Sequence, residues 1–354
     1  MQIREVAEFL HLQGAAQLSE TEWLEKMNLF WDSNPHFNPD VHPRGWVITG
    51  ECGAVRGFLG NIPVKYCNQG KEESNFWATS WYVDPCARKM SISLYRKFLE
   101  QDGVLFNTTP TPLVEKIIAK RFHFTPLEQR WLKFDFLMPL TLRGTIAIFK
   151  QKFRGSRPLS IISCVAGGLA YFISLFFYLM SSIKGTEDIM LVDQKTIPLE
   201  YDDWWSRRKT CPSYFLARDR KTLEWLCFSK ELENKRKLIA VYKKSRFIGT
   251  VLLKLVNTQE NISVELVDLE LLDESHNTRM QIFHQLRSSI LRWSSEATYF
   301  RAYAMFPGDR KALYLTGFFK ISGRNRFYYL DRYNSTNNNI CNFSAIDGDR
   351  CLFP

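Results

Sequence analysis

Residues 76–101 read "FWATSWYVDPCARKMSISLYRKFLEQ". They open as a strand and end as a helix, with a short polar turn between. A turn in that position presents unpaired main-chain N–H groups, and the helix dipole adds partial positive charge to them. Such a place suits a phosphate. Arg88 and Lys89 add charge to this turn, and Ser91 and Ser93 add hydroxyl donors. A solvated basic turn in front of an amphipathic helix would carry the same letters, so the surrounding elements have to decide.

Those elements repeat. Upstream, Ser19 and Glu22 have capping-box spacing, and Trp23, Met27, Phe30 and Trp31 share a helical face. "GWVITGECGAVRGFLGNIPVKY" reads as two strands around a Gly-containing turn, and downstream "GVLFNTTPTPLVEKIIAKRFHF" reads as strand, turn, helix. In the second half "RDRKTLEWLCFSKEL" is helical and "KLIAVYKKSRFIGTVLLKLV" is a hairpin. "ISVELVDLELLDESHNTRMQIFHQLRSSILRW" and "ATYFRAYAMFPGDRKALYLTGFF" are each strand, turn, helix. Identity between the halves is low, but element order and spacing match, which predicts two copies of one α/β unit.

Composition allows this. A chain of 354 residues is too long for one ordinary core, and 45% hydrophobic content fills two. The expected parts are a first domain over residues 1–142, a basic flank and hydrophobic helix over 143–189, a second domain over 190–335, and a polar tail over 336–354. The expected class is α/β (α+β), each domain a mixed, mostly antiparallel sheet flanked by helices. In one strand of the second copy the apolar phase shifts, from Ile262, Val264 and Leu266 to Val267, Leu269 and Leu271. A one-residue bulge or burial on both faces would each explain it.

Residues 158–183, "PLSIISCVAGGLAYFISLFFYLMSSI", contain no charge. As a helix they would run roughly 39 Å at about 1.5 Å per residue, enough to cross a hydrocarbon core. Arg143, Lys150, Lys152, Arg154 and Arg157 precede them with no acid between, a positive-inside flank. A full crossing would part the two copies, and Gly167-Gly168 offers a place to bend. The expectation is a helix, with a break allowed at those glycines, that enters the cytoplasmic leaflet from one side while its basic flank meets anionic lipid. A buried helix between soluble domains is the alternative.

The formal charge of +10 favours anionic partners without choosing among them. The eight cysteines are scattered without CxxC spacing, which predicts reduced thiols and no metal site. The start, "MQIREVAEFLHLQG", is charged and lacks the apolar run of a secretory signal.

The order helix, hairpin, long strand, "VDP" turn with Arg88, helix, strand, helix resembles the GNAT acyltransferase superfamily. In that family the turn after the fourth strand reads Arg/Gln-x-x-Gly-x-Gly/Ala and cradles the pyrophosphate of acyl-CoA. Here Arg88, Lys89, Met90, Ser91, Ile92 and Ser93 stand at this place, with serines where glycines are usual. The resemblance implies that Arg88, Lys89, Ser91 and Ser93 hold the pyrophosphate. It implies that main-chain amides near Trp81, Tyr82 and Val83 polarise the thioester carbonyl, and that Asn107 and Thr108 line the pantetheine groove. "DRKALYLTGFFK" resembles the family ending A-x-x-x-Y-x-x-x-G-F through Ala312, Tyr314, Gly317 and Phe318, with Tyr314 one place nearer the Gly than usual. There it stands for the Tyr that protonates the departing thiolate. The second copy's own turn, "LLDESHNTRM", has Asp273 and Glu274 and no Gly. Two carboxylates would repel a pyrophosphate, so the first copy is expected to hold the cofactor and the second to be degenerate.

Taken as a pair, the copies resemble bacterial double-GNAT proteins associated with exopolysaccharide synthesis, through "RGWVI", "GNIPV", "TSWYVDP" and "NTT". They also resemble Fem-type aminoacyl transferases. The implied activity is transfer from acetyl-CoA or another acyl-CoA to the amine or hydroxyl of a sugar or amine acceptor, in the cytoplasm and at a membrane surface. The acceptor attacks the thioester directly; the protein supplies positioning, a base and oxyanion donors. Candidate bases are Glu115, Asp84 and His36, and the sequence does not choose among them. One rival is a non-catalytic scaffold for polysaccharide assembly. Another is tRNA-dependent aminoacyl transfer, but no RNA-binding motif appears, and Arg207-Arg208-Lys209 and Lys235-Arg236-Lys237 read as solvated faces, so nucleic acid is not an expected partner.

Overall fold

A computed structural model describes residues 3–127, 134–146, 157–183, 188–211, 214–258, 261–272, 275–303, 309–322, 327–332 and 352. In chain order the first elements are α1 (Ile3–Leu12), α2 (Glu20–Met27), β1 (Gly45–Thr49), β2 (Val55–Asn68), β3 (Lys71–Val83), α3 (Ser91–Leu99), β4 (Leu105–Asn107), α4 (Pro112–Phe122) and β5 (Thr125–Pro126). Then come β6 (Phe134–Pro139), α5 (Arg157–Ile183), β7 (Ile189–Gln194), α6 (Tyr201–Arg208), β8 (Tyr214–Leu216) and α7 (Arg220–Phe228). The last are β9 (Arg236–Lys243), β10 (Arg246–Asn257), β11 (Ile262–Leu271), α8 (His276–Trp293), β12 (Tyr299–Tyr303), α9 (Asp309–Leu315), β13 (Phe319–Ser322) and β14 (Tyr328–Leu330).

These elements form two compact units. Unit 1 joins Met1–Glu128, Trp205–Glu233 and Arg326–Phe353; unit 2 joins Gln129–Trp204 and Asn234–Asn325. Each has one mixed sheet flanked by helices, the expected class. In unit 1 the strand order is β1-β2-β3-β4-β14-β5, with β8 paired to β2. In unit 2 it is β13-β6-β12-β11-β10-β9-β7. The parallel pairs are β3–β4 and β11–β12, and the other pairs are antiparallel.

The units do not follow the chain as the boundaries at 142 and 190 would have them. β14 sits between β4 and β5, and β6 sits between β13 and β12. The short strand β4 gains a second partner in this way, with Tyr328 opposite Asn107 and Leu330 opposite Leu105. The tail over 336–354 lies outside the described residues except for Leu352.

Local chemistry explains several elements. Ser19 opens α2 with a complete capping box: its hydroxyl accepts from the Glu22 amide, and its own amide donates to the Glu22 carboxylate at 2.7 Å. The β9–β10 turn places both Lys244 and Ser245 at positive φ, the geometry that matches strand twist in a two-residue hairpin. The phase shift in β11 has both of its possible causes. Leu252 faces Asp268 while Leu253 faces Leu266, so Val267 is a bulge, and every residue from Leu266 to Leu271 is buried.

Unit 1 packs Leu59, Ala78, Tyr95, Phe98, Leu105, Ile118 and Phe122 between sheet and helices. α7 belongs to it through Trp225, whose indole donates to the Leu29 carbonyl at 2.8 Å. His36 Nε2 lies 2.7 Å from the Thr222 hydroxyl, with its ring edge-on to Trp225. Burial lowers the His36 pKa from 6.5 to about 4. The folded value is below the unfolded one, so this contribution is complete above about pH 6.5 and is lost as pH falls toward 4. The loss amounts to about 3 kcal/mol at about 1.36 kcal/mol per pH unit. Urea unfolding of unit 1 between neutral and acid pH should show it, and His36→Gln should flatten the profile. An unchanged profile in the variant would assign the titration to another group.

In unit 2, α5 is continuous through Gly167-Gly168, so the break allowed for there does not occur. Gly167 closes against the backbone of Ile146, where an added Cβ would come within 3.0 Å of the Ile146 Cα. That packing offsets the low helix propensity of Gly167. Among the described residues no helix is long and apolar enough to cross a membrane.

Candidate functional site

In unit 1, β3 and β4 touch only where Phe76 meets Leu105 and Trp77 meets Phe106. β4 then ends at Asn107, while β3 continues to Val83. From Ala78 onward, β3 has no strand partner on that side among the described residues. That side of β3 is therefore not closed by a strand.

A bulge falls in this same segment. Tyr82 faces Phe58 and Thr79 faces Gly60, so Ser80 and Trp81 together oppose Leu59. Ser80 has φ +52°, a left-handed conformation that costs a non-glycine residue roughly 1–2 kcal/mol. Strain of this kind concentrates where a strand is re-aimed toward a site.

The divergence opens a cleft of about 200 Å³. β3 contributes Ala78, Thr79, Ser80, Trp81 and Tyr82, and Asn107 comes from the end of β4. Thr109, Pro110, Thr111 and Val114 come from the start of α4, with Leu59 from β2 and Ala16 and Trp23 from the N-terminal helical region. None of these side chains is charged. Asn107 donates to the Tyr95 hydroxyl at 3.2 Å, and the Tyr95 ring lies 4.7 Å from Trp81. Burial pushes the Tyr95 phenol upward, which keeps it neutral. The indole nitrogens of Trp23 and Trp81 are buried and have no hydrogen-bond partner among the described residues. Both residues line the cleft, and a buried donor left unmatched costs about 1–3 kcal/mol.

Charge begins at the far end of β3. Asp84 starts a tight helical turn, Pro85–Met90, which runs directly into α3. Arg88 and Lys89 are exposed on it, with no acidic partner among the described residues. The amides of this turn are partly engaged. Cys86 donates to the Asp84 carboxylate, Ala87 to the Asp84 carbonyl and Ser91 to the Arg88 carbonyl. The Ser93 hydroxyl donates to the Met90 carbonyl at 2.6 Å. The turn thus offers an anion side-chain charge more than a ring of open N–H groups.

The remaining candidates fall in different places. Thr108 is buried beside Asn107, and Val83 packs on the core while pairing with Gly57. Asp84 is held by Arg56 at 3.2 Å, and hydrogen bonds from the Cys86 thiol and amide keep its carboxyl below the usual range. His36 is engaged with Thr222 and does not line the cleft. Glu115 is 8% exposed on α4, one turn after Thr111. Tyr314 belongs to unit 2, on α9, with its ring edge-on to Phe136. Among the described residues no group of three His, Cys, Asp or Glu side chains gathers to hold a metal. Trp23 and Ala16 also line the cleft, and no sequence motif marks either. Trp23 sits on a helical face whose letters are those of ordinary core.

No family model matches the sequence, and no curated protein matches it. Solved structures do. Yeast (Saccharomyces cerevisiae) N-myristoyltransferase with bound myristoyl-CoA is similar at 11% identity and a TM-score of 0.52, over 91% of this chain and 74% of that one. A GCN5-related N-acetyltransferase from Anabaena variabilis is similar at 12% identity and a TM-score of 0.45, over 80% of this chain. This chain spans 61% of that protein's length. At such identities the likeness is one of fold, and the fold is GNAT-like: two mixed sheets flanked by helices.

Proposed function

We propose that unit 1 is an acyltransferase that moves an acyl group from acetyl-CoA or a longer acyl-CoA to an amine or hydroxyl. The carrying observation is the pairing of an uncharged cleft on the free edge of β3 with the basic turn where β3 ends. Acyl-CoA has that profile, a neutral acyl-pantetheine arm followed by a pyrophosphate. In this reading the arm lies along Ala78 to Tyr82, and Asn107 and Thr108 flank it. Arg88 and Lys89, with Ser91 and Ser93 behind them, meet the pyrophosphate by charge. Main-chain amides near Trp81, Tyr82 and Val83 stabilise the oxyanion that forms on attack. The acceptor is a sugar or an amine, such as a precursor of a cell-surface polysaccharide. The cytoplasm is where acyl-CoA would be met, and attachment to a membrane through residues 158–183 belongs to the same reading. The myristoyl-CoA bound by the yeast enzyme makes long-chain thioesters worth testing beside acetyl-CoA.

The test is calorimetric binding of acetyl-CoA and longer acyl-CoAs, followed by thiol release with candidate amine and sugar acceptors. Arg88→Glu is expected to weaken acyl-CoA binding by about 1–3 kcal/mol, the scale of a lost charge-assisted contact. Unchanged affinity would move the pyrophosphate elsewhere. No binding of any acyl-CoA would favour the second reading, a non-catalytic scaffold of GNAT fold. The engaged amides of Cys86, Ala87 and Ser91 speak for that reading.

A further inference from the structure

α5 is built the reverse of a helix that faces water. Its packed side carries small and polar residues. Gly167 meets the Ile146 backbone, and the Ser174 hydroxyl donates to the Gly317 carbonyl at 2.6 Å. The Tyr178 ring stacks on His284 with centroids 4.3 Å apart, and Ser181 lies 2.8 Å from His284 Nδ1. The opposite side carries the large apolar residues. Val165, Leu169, Phe172, Phe176 and Leu179 are 68%, 61%, 62%, 59% and 55% exposed. At about 100° per residue these two sets point in opposite directions. A continuous exposed apolar face of this kind marks a contact with a protein or a membrane.

We infer that the outer face of α5 docks in the plane of an anionic lipid surface. Charge selects this occupant. Residues 136–186 contain Arg143, Lys150, Lys152, Arg154, Arg157 and Lys184 and no acidic residue. A second copy of the chain would bring the same charge against itself. An anionic bilayer attracts it and also accepts the apolar face. Geometry selects the orientation. The stripe from Val165 to Leu179 is roughly 21 Å long at about 1.5 Å per residue, and its reverse side is committed to unit 2, so the helix lies in the interface and does not cross it. The inference deepens the membrane attachment in the proposed function, and its test reads lipid binding without any acyl transfer.

The test uses the full chain and sedimentation with vesicles. One set is phosphatidylcholine alone, the other equal parts phosphatidylcholine and phosphatidylglycerol. The protein is expected to bind the anionic vesicles about tenfold or more tightly than the neutral ones, with the preference lost in about 0.5 M salt. Phe172→Glu with Phe176→Glu should abolish binding while leaving circular dichroism and melting unchanged. If that pair misfolds, Leu169→Gln with Phe172→Gln gives the same readout. Absence of vesicle binding would overturn the inference, as would binding that the variants do not weaken. A dimer that the variants convert to monomer, without vesicle binding, would assign the face to a second copy.

Discussion

Glu115→Gln is expected to lower kcat about 10²–10⁴-fold, the range a positioned general base contributes, while acyl-CoA affinity stays the same. Attack on a thioester requires the acceptor to lose a proton as its nitrogen or oxygen bonds to the carbonyl carbon and the C–S bond breaks. Of the three carboxylate and imidazole candidates, Glu115 alone stands on the helix whose start lines the cleft. Asp84 caps its turn and pairs with Arg56, and its lowered pKa makes it a weak base. His36 is held at Thr222 in a setting that lowers its pKa to about 4. Glu115 follows Thr111 by four residues on α4, so the two share a helical face, and Thr111 and Val114 line the cleft. The Glu115 side chain is buried on that helix. Steady-state kinetics beside calorimetry separates the roles: a base lowers kcat and spares the acyl-CoA Kd, whereas a structural residue lowers the melting temperature. A kcat within about threefold of the parent would remove Glu115 from the chemistry.

Much of unit 1 was legible because its signals are local. Ser19 and Glu22 announce a capping box, and residues 76–101 announce strand, turn and helix. In unit 2 the shifted phase around Val267 announces a bulge or burial on both faces, and the strand has both. What could not be read is what depends on partners distant in the chain. Nothing in β6 or β14 states which sheet each will join, because a short strand carries no address beyond its apolar pattern. The same limit hid Trp23, since a tryptophan that lines a cleft and one that fills a core look alike on a helical face. The letters of the turn before α3 display its charge and its place after β3. Its amides are engaged because Asp84 and Pro85 start a tight helical turn there, and no charge count reveals that. In α5 both faces are uncharged, so which one packs is decided by Gly167, Ser174 and Ser181 fitting closely against their neighbours.

Asp309→Asn is expected to destabilise unit 2 by about 3–5 kcal/mol, the cost of breaking a buried ion pair from one side. The Asp309 carboxylate opens α9 and accepts from Arg279 of α8 at 2.7 Å, with the two side chains 1% and 2% exposed. Arg279 sits in the first turn of α8, where the helix dipole disfavours a cation, so a facing carboxylate matters more than it would at the other end. The asparagine keeps the shape and removes the charge. Its effect therefore reports electrostatics, not packing. In a unit of this size the melting point should drop by about 10 °C. Replacing both partners with apolar residues, Arg279→Met with Asp309→Leu, removes the two charges together and should recover part of the loss. A single variant as stable as the parent would show that other neighbours already neutralise Arg279. A double variant weaker than the single one would show that the pair specifies how α8 and α9 pack, a role that charge compensation alone does not fill.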